Sequence, residues 1–194
     1  MTDGVSILGI FVADLAFRSG RMPAVGETIM GSGFAMGPGG KGSNQAVAAA
    51  RAGAKTRFIS RLGQDSFGDI AMATWAAEGI DAKVARSPQA PTGAAFIYVN
   101  DVNGENAIIV VPGAAGDISV ADVEAAAETI RSSRVFVTQL EQPAEAALAA
   151  LKIARGAGVT TVFNPAPAAP FDPAIYPLVD YITPNESETA AMVG

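Results

Sequence analysis

The chain has 194 residues, of which 49% are hydrophobic and 16% charged, with a formal net charge of −6. This length and composition suit one domain with a substantial core, and the negative charge argues against binding to nucleic acid or to an anionic membrane. The sequence contains no histidine and no cysteine, which excludes Ser-His-Asp and Cys-His nucleophiles and also zinc sites built on imidazole or thiolate.

The same composition limits metal binding and predicts the location of the protein. Any metal is expected to be a hard cation held by oxygen ligands. The first apolar run, residues 5–12, is too short to cross a bilayer. Asp3 and Asp14 flank this run, where a signal peptide would carry basic residues. We therefore expect a cytoplasmic protein.

Short β-rich runs alternate with alanine-rich helical windows along the chain. In chain order, the predicted elements are a buried strand over 5–12 that ends at Asp14, a helix over 44–52 that stops at Gly53, a strand over 56–61, a helix over 66–78 closed by Gly79, a helix from Asp117 or Ser119 to Arg131, a strand over 134–138, a helix from Pro143 to Arg155, and strands over 159–163 and 180–183. Such alternation predicts a parallel α/β sheet with helices on both faces.

Two segments interrupt this alternation. Residues 15–36 are too glycine-rich and polar for a core helix, and residues 92–111 are typical of a hairpin with Asn103-Gly104 at its turn. The two segments are expected to pair as a small β-lid over the strand ends, where open α/β sheets bind ligands. The alternative is an edge hairpin without a role. The whole chain, 1–194, is then a single α/β domain that carries these lid segments.

A glycine-rich loop, GPGGKGSN at residues 37–44, is the strongest motif. Gly37, Gly39 and Gly42 match the G-x-G-x-x-G of dinucleotide-binding turns, but they do not follow the predicted first strand directly and the expected acidic residue is misplaced, which argues against an oxidoreductase. The phosphate-binding G-x-x-x-x-G-K-[ST] form also fails, because Gly42 follows Lys41. Glycines before a helix start predict close approach to a polar small molecule that carries several hydroxyls.

The chain resembles the ribokinase-like (phosphofructokinase B) family of carbohydrate kinases. The resemblance begins with GGKGSNQAVAAARAGAKTRFISRLGQDSFG at 39–68 and continues through the lid hairpin, QLEQP from Gln139, NPAPA from Asn164 and ITPNESE from Ile182. It covers essentially the whole chain, in the family's order, and matches the family's N-terminal part only. It implies a ribokinase-like sheet with a β-lid, without the C-terminal portion.

The resemblance assigns the acceptor-sugar site. By this carry-over, sugar hydroxyls are bound by Asp14, Gly39, Gly40, Lys41, Asn44 and Glu141. A carboxylate such as Asp14 can accept two donors at once. Without the resemblance, Asp14 could simply cap a strand end, and Glu141 could be a solvated loop carboxylate.

The resemblance also assigns the nucleotide side. Asn185 and Glu188 match an N-x-x-E element that organises the Mg²⁺ and phosphates of ATP, with Glu188 toward the metal. The alternative is a capping arrangement at a helix start, and both can hold together because helix starts attract phosphate. Asn164 is expected near the same site. A monovalent cation such as K⁺ is implied as well, at a loop that does not occur in these 194 residues.

Three departures from the family pattern bear on function. Val12 occupies a sugar-contacting position where ribose-binding members carry Asn, and Gly116 replaces another Asn. An unpaired buried hydroxyl would cost about 1–3 kcal/mol, so the substrate is expected to lack a hydroxyl there or to present an apolar face. The third departure is the absence of the family's D-x-x-G-A-G-D motif, which supplies the catalytic base and an anion hole.

These observations lead to three function hypotheses. The first is an ATP-dependent kinase for a pentose, a related sugar or a nucleoside, with these 194 residues inactive alone. The second is a sugar-binding or regulatory module without catalysis, and the third is the disfavoured oxidoreductase. A homodimer through the β-lid is also expected, and an exposed apolar sheet face would favour it.

Overall fold

The computed structural model describes residues 3–193, which form ten strands and six α-helices. The strands are β1 Val5–Leu8, β2 Val12–Ser19, β3 Gly33–Gly39, β4 Thr56–Gly63, β5 Asp81–Ser87, β6 Thr92–Asn100, β7 Asn106–Gly113, β8 Val135–Thr138, β9 Thr160–Phe163 and β10 Tyr181–Ile182. The α-helices are α1 Lys41–Arg51, α2 Ser66–Ala77, α3 Val120–Ala125, α4 Ala127–Arg131, α5 Ala144–Gly156 and α6 Glu186–Val193. Two 3₁₀ helices, Ala114–Asp117 and Pro173–Leu178, complete the set.

The main sheet has six strands in the order β10-β9-β8-β1-β4-β5, and every pairing in it is parallel. Alternate residues along a strand face opposite sides of the sheet. Phe58 packs with Trp75 of α2 on one side, and Ile59 packs in the cluster with Leu151 of α5 on the other. Helices therefore cover both faces, and the predicted parallel α/β architecture is confirmed.

The second sheet has the order β3-β2-β6-β7. Its outer pairs, β2 with β3 and β6 with β7, are antiparallel, whereas β2 and β6 run parallel. Gly104, with a φ of +75°, lies in the predicted hairpin turn between β6 and β7. The predicted small separate sheet is thus present. Its first segment, predicted over 15–36, runs from Val12 to Gly39 in the structure. The division into one domain with lid segments stays a prediction.

The predicted strand over 5–12 is wrong, because the run is divided between the two sheets. β1 ends at Leu8, and residues 9–11 lead into β2 of the second sheet. Gly9 is the point of departure, since a Cβ there would lie 2.7 Å from both Gly42 Cα and Gln139 Oε1. Ile10 and Phe11 are buried connecting residues, which is why the apolar run is continuous. Asp14 is therefore the third residue of β2, not the end of the first strand.

The predicted helix up to Arg131 is also divided. Ser119 is the cap, and its side chain and that of Asp122 form a reciprocal capping box at the start of α3. The helix then breaks at Ala126, the residue between the end of α3 and the start of α4 at Ala127. Asp117 instead ends a 3₁₀ helix. Of the two predicted caps, Ser119 is the one used.

The helices give no indication of a membrane span. Across residues 3–193, none is both long and apolar enough to cross a bilayer. The cytoplasmic location stays a prediction.

Candidate functional site

The glycine-rich loop joins the second sheet to the main sheet. β3 ends at Gly39, Gly40 turns the chain with a φ of +90°, and α1 begins at Lys41. A Cβ on Gly40 would lie 2.5 Å from the carbonyl oxygen of Ile10, and the amide of Ser43 donates to that oxygen at 3.2 Å. The loop is thus pressed against residues 9–11, a position that only glycine fits.

The dinucleotide interpretation fails on this geometry. Gly37 and Gly39 lie on β3, and Gly42 lies in the first turn of α1, so the three glycines do not form one turn after β1. Gly39 has a different function in the packing. A Cβ on it would overlap the carboxylate of Asp14, which lies directly over this residue.

Glu141 caps the amino-terminal end of α1. Its Oε2 accepts a hydrogen bond of 2.7 Å from the Lys41 backbone N–H, and its Oε1 lies 3.9 Å from Lys41 Nζ. A helix amino terminus attracts negative charge, so this contact supports the carboxylate. The side chain of Glu141 is nevertheless only 15% exposed, and burial raises the pKa of its carboxyl above the ordinary value.

Asp14 and Glu141 form an acidic pair across the loop. Burial raises the pKa of the Asp14 carboxyl, and the charge of Asp14 contributes to the raised pKa of Glu141. The pair thus brings acceptor oxygens from the second sheet and from the segment after β8 to the same region. Carboxylates in such a place can bind hydroxyl donors.

The first of two clefts, the β7 cleft, has a volume of about 420 Å³. Its polar groups are Lys41 and Glu141, and its remaining lining is apolar: Ile10, Leu140, Pro167, Ile108, Val110 and Pro112. The last three belong to β7, so the second sheet forms one wall of this cleft. The cleft suits a small molecule with a polar edge and an apolar face.

The second cleft, the α6 cleft, is more open and has a volume of about 470 Å³. It is lined by Lys41, Asn44, Gln45, Asn164, Ala166, Thr183, Pro184, Asn185 and Glu188. Asn44 is exposed there on the first turn of α1, and Asn164 is held by a 2.6 Å hydrogen bond from its Nδ2 to the Thr183 carbonyl. Lys41 borders both clefts, so the two are adjacent.

Asn185 and Glu188 form a capping box at the start of α6. The Asn185 N–H donates to Glu188 Oε2, and the Glu188 N–H donates to Asn185 Oδ1, both at 2.8 Å. The capping interpretation is therefore correct as a description of the contacts, whatever else the two residues bind. Asn185 is exposed, whereas Glu188 is 7% exposed.

Magnesium binding at Glu188 would rest on one carboxylate. Within residues 3–193, no group of three acidic or other metal-binding side chains is arranged to hold a metal ion. Mg²⁺ is usually bound by one or two carboxylates together with water and substrate phosphates. The single carboxylate beside an open cleft fits that pattern.

Four predicted site residues line neither cleft: Asp14, Gly39, Gly40 and Val12. Of these, Val12 is the one that lies in a hydrophobic core cluster. It is 4% exposed and packs in the core cluster with Leu8, Ile10 and Ala95. It lies two residues before Asp14 on β2, so the two side chains share a face of the strand. A longer polar side chain at position 12 would therefore project beside Asp14.

Two glutamines join this site without having been singled out from the sequence. Gln45 lines the α6 cleft, and Gln139 is fully buried beneath the glycine loop. Gln45 is one turn after Lys41 on α1, a spacing that places the two on one face of the helix. That spacing was the available signal for Gln45, whereas the partners of Gln139 are distant in sequence.

Comparison with known proteins gives a family and several close relatives. The model of the pfkB family carbohydrate kinases matches residues 2–194. The chain is 41% identical over 192 residues to the ribokinase of Mus musculus, covering 98% of this chain and 59% of that protein. It is 33% identical over 192 residues to the deoxyribokinase of Salmonella typhi, covering 98% of this chain and 62% of the relative.

A solved structure agrees with these matches. The Arabidopsis thaliana ribokinase complexed with ribose and ATP superposes with a TM-score of 0.87 at 27% identity, covering 100% of this chain and 64% of that chain. The chain thus spans about three fifths of the length of the relatives that it matches.

Proposed function

The chain belongs to the pfkB family of carbohydrate kinases, and we propose that the protein is an ATP-dependent kinase that phosphorylates a hydroxymethyl group of a pentose or related sugar. The observation that carries the proposal is the pair of adjacent clefts with Lys41 between them. One cleft offers carboxylate and lysine groups to an acceptor, and the other ends at a helix start that suits phosphate.

The sugar occupies the β7 cleft in this proposal. Glu141 and Lys41 line this cleft and bind hydroxyls there, together with Asp14 and the backbone of Gly39 and Gly40, which lie beside the cleft. Asn44 contributes its amide from the adjoining α6 cleft. The support is the position of Glu141 against the amino terminus of α1 and the close packing of Asp14 over Gly39. The apolar β7 wall excludes water from the acceptor, which protects a phosphoryl group from wasteful hydrolysis.

ATP occupies the α6 cleft, with its phosphates toward Asn185 and Glu188. Glu188 would hold Mg²⁺ together with the phosphates, and the bound ion would supply charge neutralisation for phosphoryl transfer. The groups of this chain bind and orient the two substrates, and Lys41 lies where the two meet. No described residue is assigned the removal of the hydroxyl proton, which in the family falls to the D-x-x-G-A-G-D motif.

Since these 194 residues contain no G-A-G-D sequence, we propose that the chain tested alone binds sugar without measurable turnover. The second candidate function, a sugar-binding or regulatory module, shares this behaviour. The two differ in ATP binding, because a kinase retains the nucleotide contacts at α6 and a pure sugar-binding module does not need them.

Calorimetry on the 194-residue chain tests the proposal. We expect ribose, or a close analogue of it, to bind at micromolar to millimolar concentration, and ATP with Mg²⁺ to bind at a separate site. The Asn44→Ala substitution removes an exposed amide and should weaken sugar binding without lowering the melting temperature. Sugar binding without any ATP binding would favour the module, and failure to bind any sugar would refute the proposed site.

The substrate is proposed to lack a hydroxyl near position 12, or to turn an apolar face to it. The support is the apolar Val12 on the same strand face as Asp14 and the mainly apolar lining of the β7 cleft. The relatives include both a ribokinase and a deoxyribokinase. A binding panel of ribose, deoxyribose, other sugars and nucleosides tests this, and a clear preference for ribose would refute it.

We also propose that two copies associate through the outer face of the second sheet. Paired residues of neighbouring strands share a face, and the exposed members of this one are apolar: Phe17, Phe34, Met36, Ile109 and Val111. The Phe17 and Phe34 rings lie 5.0 Å apart. An apolar patch of this kind is typical of an interface. Sedimentation should show a dimer that Phe34→Lys dissociates, whereas a wild-type monomer at all concentrations would contradict this.

A further inference from the structure

Gln139 lies where the end of β1, the start of α1 and the segment after β8 meet. It directly follows β8 and is 0% exposed. Its Oε1 lies 2.7 Å from the Cβ position of Gly9 and 3.1 Å from that of Gly42. The amide thus fills the notch between the end of β1 and the start of α1, and both glycines are needed to admit it.

Among the described residues, only one end of the Gln139 side-chain amide has a hydrogen-bond partner. Its Oε1 has no hydrogen-bond partner within residues 3–193, although a buried polar atom without a partner costs free energy. An alkyl side chain would fill the same notch without that cost, so filling space does not explain the amide. The other end of the amide supplies a reason, because Nε2 donates to Gln45 Oε1 on α1.

The hydrogen bond from Gln139 to Gln45 lies beside the one that Glu141 accepts from Lys41. Gln139 and Glu141 are two residues apart, and their partners on α1, Gln45 and Lys41, are one helical turn apart. The segment after β8 is therefore tied to α1 at two successive turns. The bond from Gln139 is buried at its Gln139 end and half-buried at Gln45, and the bond to Glu141 involves the acidic group of the β7 cleft.

We propose that Gln139 is a positioning residue that sets the separation between Glu141 and the amino terminus of α1, and so aligns the acceptor site. The inference rests on the proposed function for the identity of the ligand. Its geometric part, the placement of Glu141 against Lys41, holds whether or not a sugar is bound.

Gln142 provides a matched control within the same segment. It is 4% exposed, and its Oε1 likewise has no partner among the described residues. Its Nε2 donates only to Thr138 Oγ1 at 3.0 Å and to the Gln139 carbonyl at 2.6 Å. Gln142 thus has the same chemistry and similar burial, but these bonds stay within its own segment and do not reach α1.

The experiment compares Gln139→Met with Gln142→Met, since methionine keeps the length of the side chain and removes the amide. Two quantities are measured: ribose affinity by calorimetry, and the pKa of Glu141 by carboxyl ¹³C NMR. The charged groups that face Glu141 are Lys41 on α1 and Asp14 on β2, and neither substitution changes them. The Glu141 titration therefore reports the contact with the Lys41 N–H.

Gln139→Met should weaken ribose binding by roughly fivefold or more, the effect of losing one buried hydrogen bond. It should also raise the pKa of Glu141, because the loosened Lys41 N–H stabilises the carboxylate less. Gln142→Met should leave both quantities unchanged even if it lowers the melting temperature. Equal effects of the two substitutions on both quantities would overturn the proposal.

The experiment tests the positioning role of Gln139 independently of the proposed function. If the wild-type chain binds no sugar of the panel, the sugar site is wrong, but the pKa comparison still decides the position of Gln139. If Gln139→Met does not fold, Gln45→Ala cuts the same hydrogen bond from the half-buried end. An unchanged Glu141 pKa in Gln45→Ala would overturn the positioning role.

Discussion

Replacing Glu141 with glutamine should make the protein more stable at neutral pH and a weaker binder of its sugar. The substitution keeps the shape of the side chain and leaves an oxygen to accept from the Lys41 N–H, which donates to Oε2 at 2.7 Å. It removes one negative charge from a side chain that is 15% exposed and faces Asp14. The two expected effects have opposite signs because, in the proposed function, the charge of Glu141 serves ligand binding and not folding.

The size of the stability change depends on how the surroundings of Glu141 stabilise or destabilise its charged form. Burial is the largest cause that raises the pKa of Glu141, the charge of Asp14 adds to it, and the hydrogen bond and charge of Lys41 oppose it. Each unit of raised pKa corresponds to about 1.4 kcal/mol in favour of the neutral form. Glutamine loses about 0.3–1 kcal/mol of attraction to the amino terminus of α1. We expect a net gain of up to about 1 kcal/mol.

The pH dependence gives the sign of this effect independently. Because the folded-state pKa is above the unfolded one, the folded protein binds the proton more tightly between the two values. Wild-type stability therefore falls as pH rises from the ordinary glutamate range through the raised pKa, and the variant lacks this fall. Its advantage should grow with pH and then level off. Asp14 titrates in both proteins, and in the variant its carboxylate no longer faces the charge of Glu141, which adds to the variant's advantage in the same direction.

Urea unfolding from pH 4 to pH 8, with sugar calorimetry at pH 7, measures both effects. Sugar affinity should fall roughly tenfold or more, since a charged acceptor is replaced by a neutral one. Glu145→Gln is the control, because Glu145 is an exposed carboxylate in the first turn of α5; it should stabilise nothing and leave sugar binding unchanged. A Glu141→Gln protein less stable than wild type at pH 7, or an advantage that shrinks as pH rises, would refute the reasoning.

Three other substitutions test the loop, the α6 cap and the specificity position. Gly40→Ala places a Cβ 2.5 Å from the Ile10 carbonyl oxygen at a φ of +90°, and it should lower the free energy of unfolding in urea by roughly 3 kcal/mol or more. The control Gly53→Ala has a similar φ of +87° but open space around it, and it should cost about 1 kcal/mol. Equal costs for the two variants would contradict the close approach at Gly40. Asn185→Ala should remove about 1 kcal/mol of capping and speed hydrogen exchange in α6 while the main sheet stays protected. Val12→Asn should lower stability by about 1–3 kcal/mol and shift the affinity ratio from deoxyribose toward ribose, and an unchanged ratio would contradict the role of position 12.

Local patterns in the sequence were sufficient for the parallel α/β architecture of the main sheet and for the capping box at the start of α6. The β-α alternation predicts the parallel strands, and the three-residue spacing of Asn185 and Glu188 predicts the capping box that the structure contains. Both signals depend on residues within one element or its immediate neighbours. β5, Asp81–Ser87, was not predicted, because an edge strand with a half-exposed, charged sequence has no clear alternation.

The division of the first apolar run was beyond the reach of local patterns. Residues 5–12 are mostly apolar because Ile7, Leu8 and residues 10–12 are buried in the cores, yet the chain changes sheets at Gly9. The cause lies in Gly42 and Gln139, which are far away in sequence and close to Gly9 in space. The same long-range contacts place Asp14 on the second sheet, so its structural position could not be read from its distance along the first strand.

The division of the first apolar run between the two sheets determines which parts of the proposed acceptor site are fixed. Asp14 is separated from β1 by only a few buried residues, and β2 lies between β3 and β6 in the second sheet. Glu141 is fixed by the contact with α1. The apolar wall is different, because Ile108 and Val110 lie on β7, an edge strand that pairs in its own sheet with β6 alone. The polar side of the cleft is therefore built on the most constrained backbone, and any adjustment to a ligand's shape falls to β7 and its hairpin.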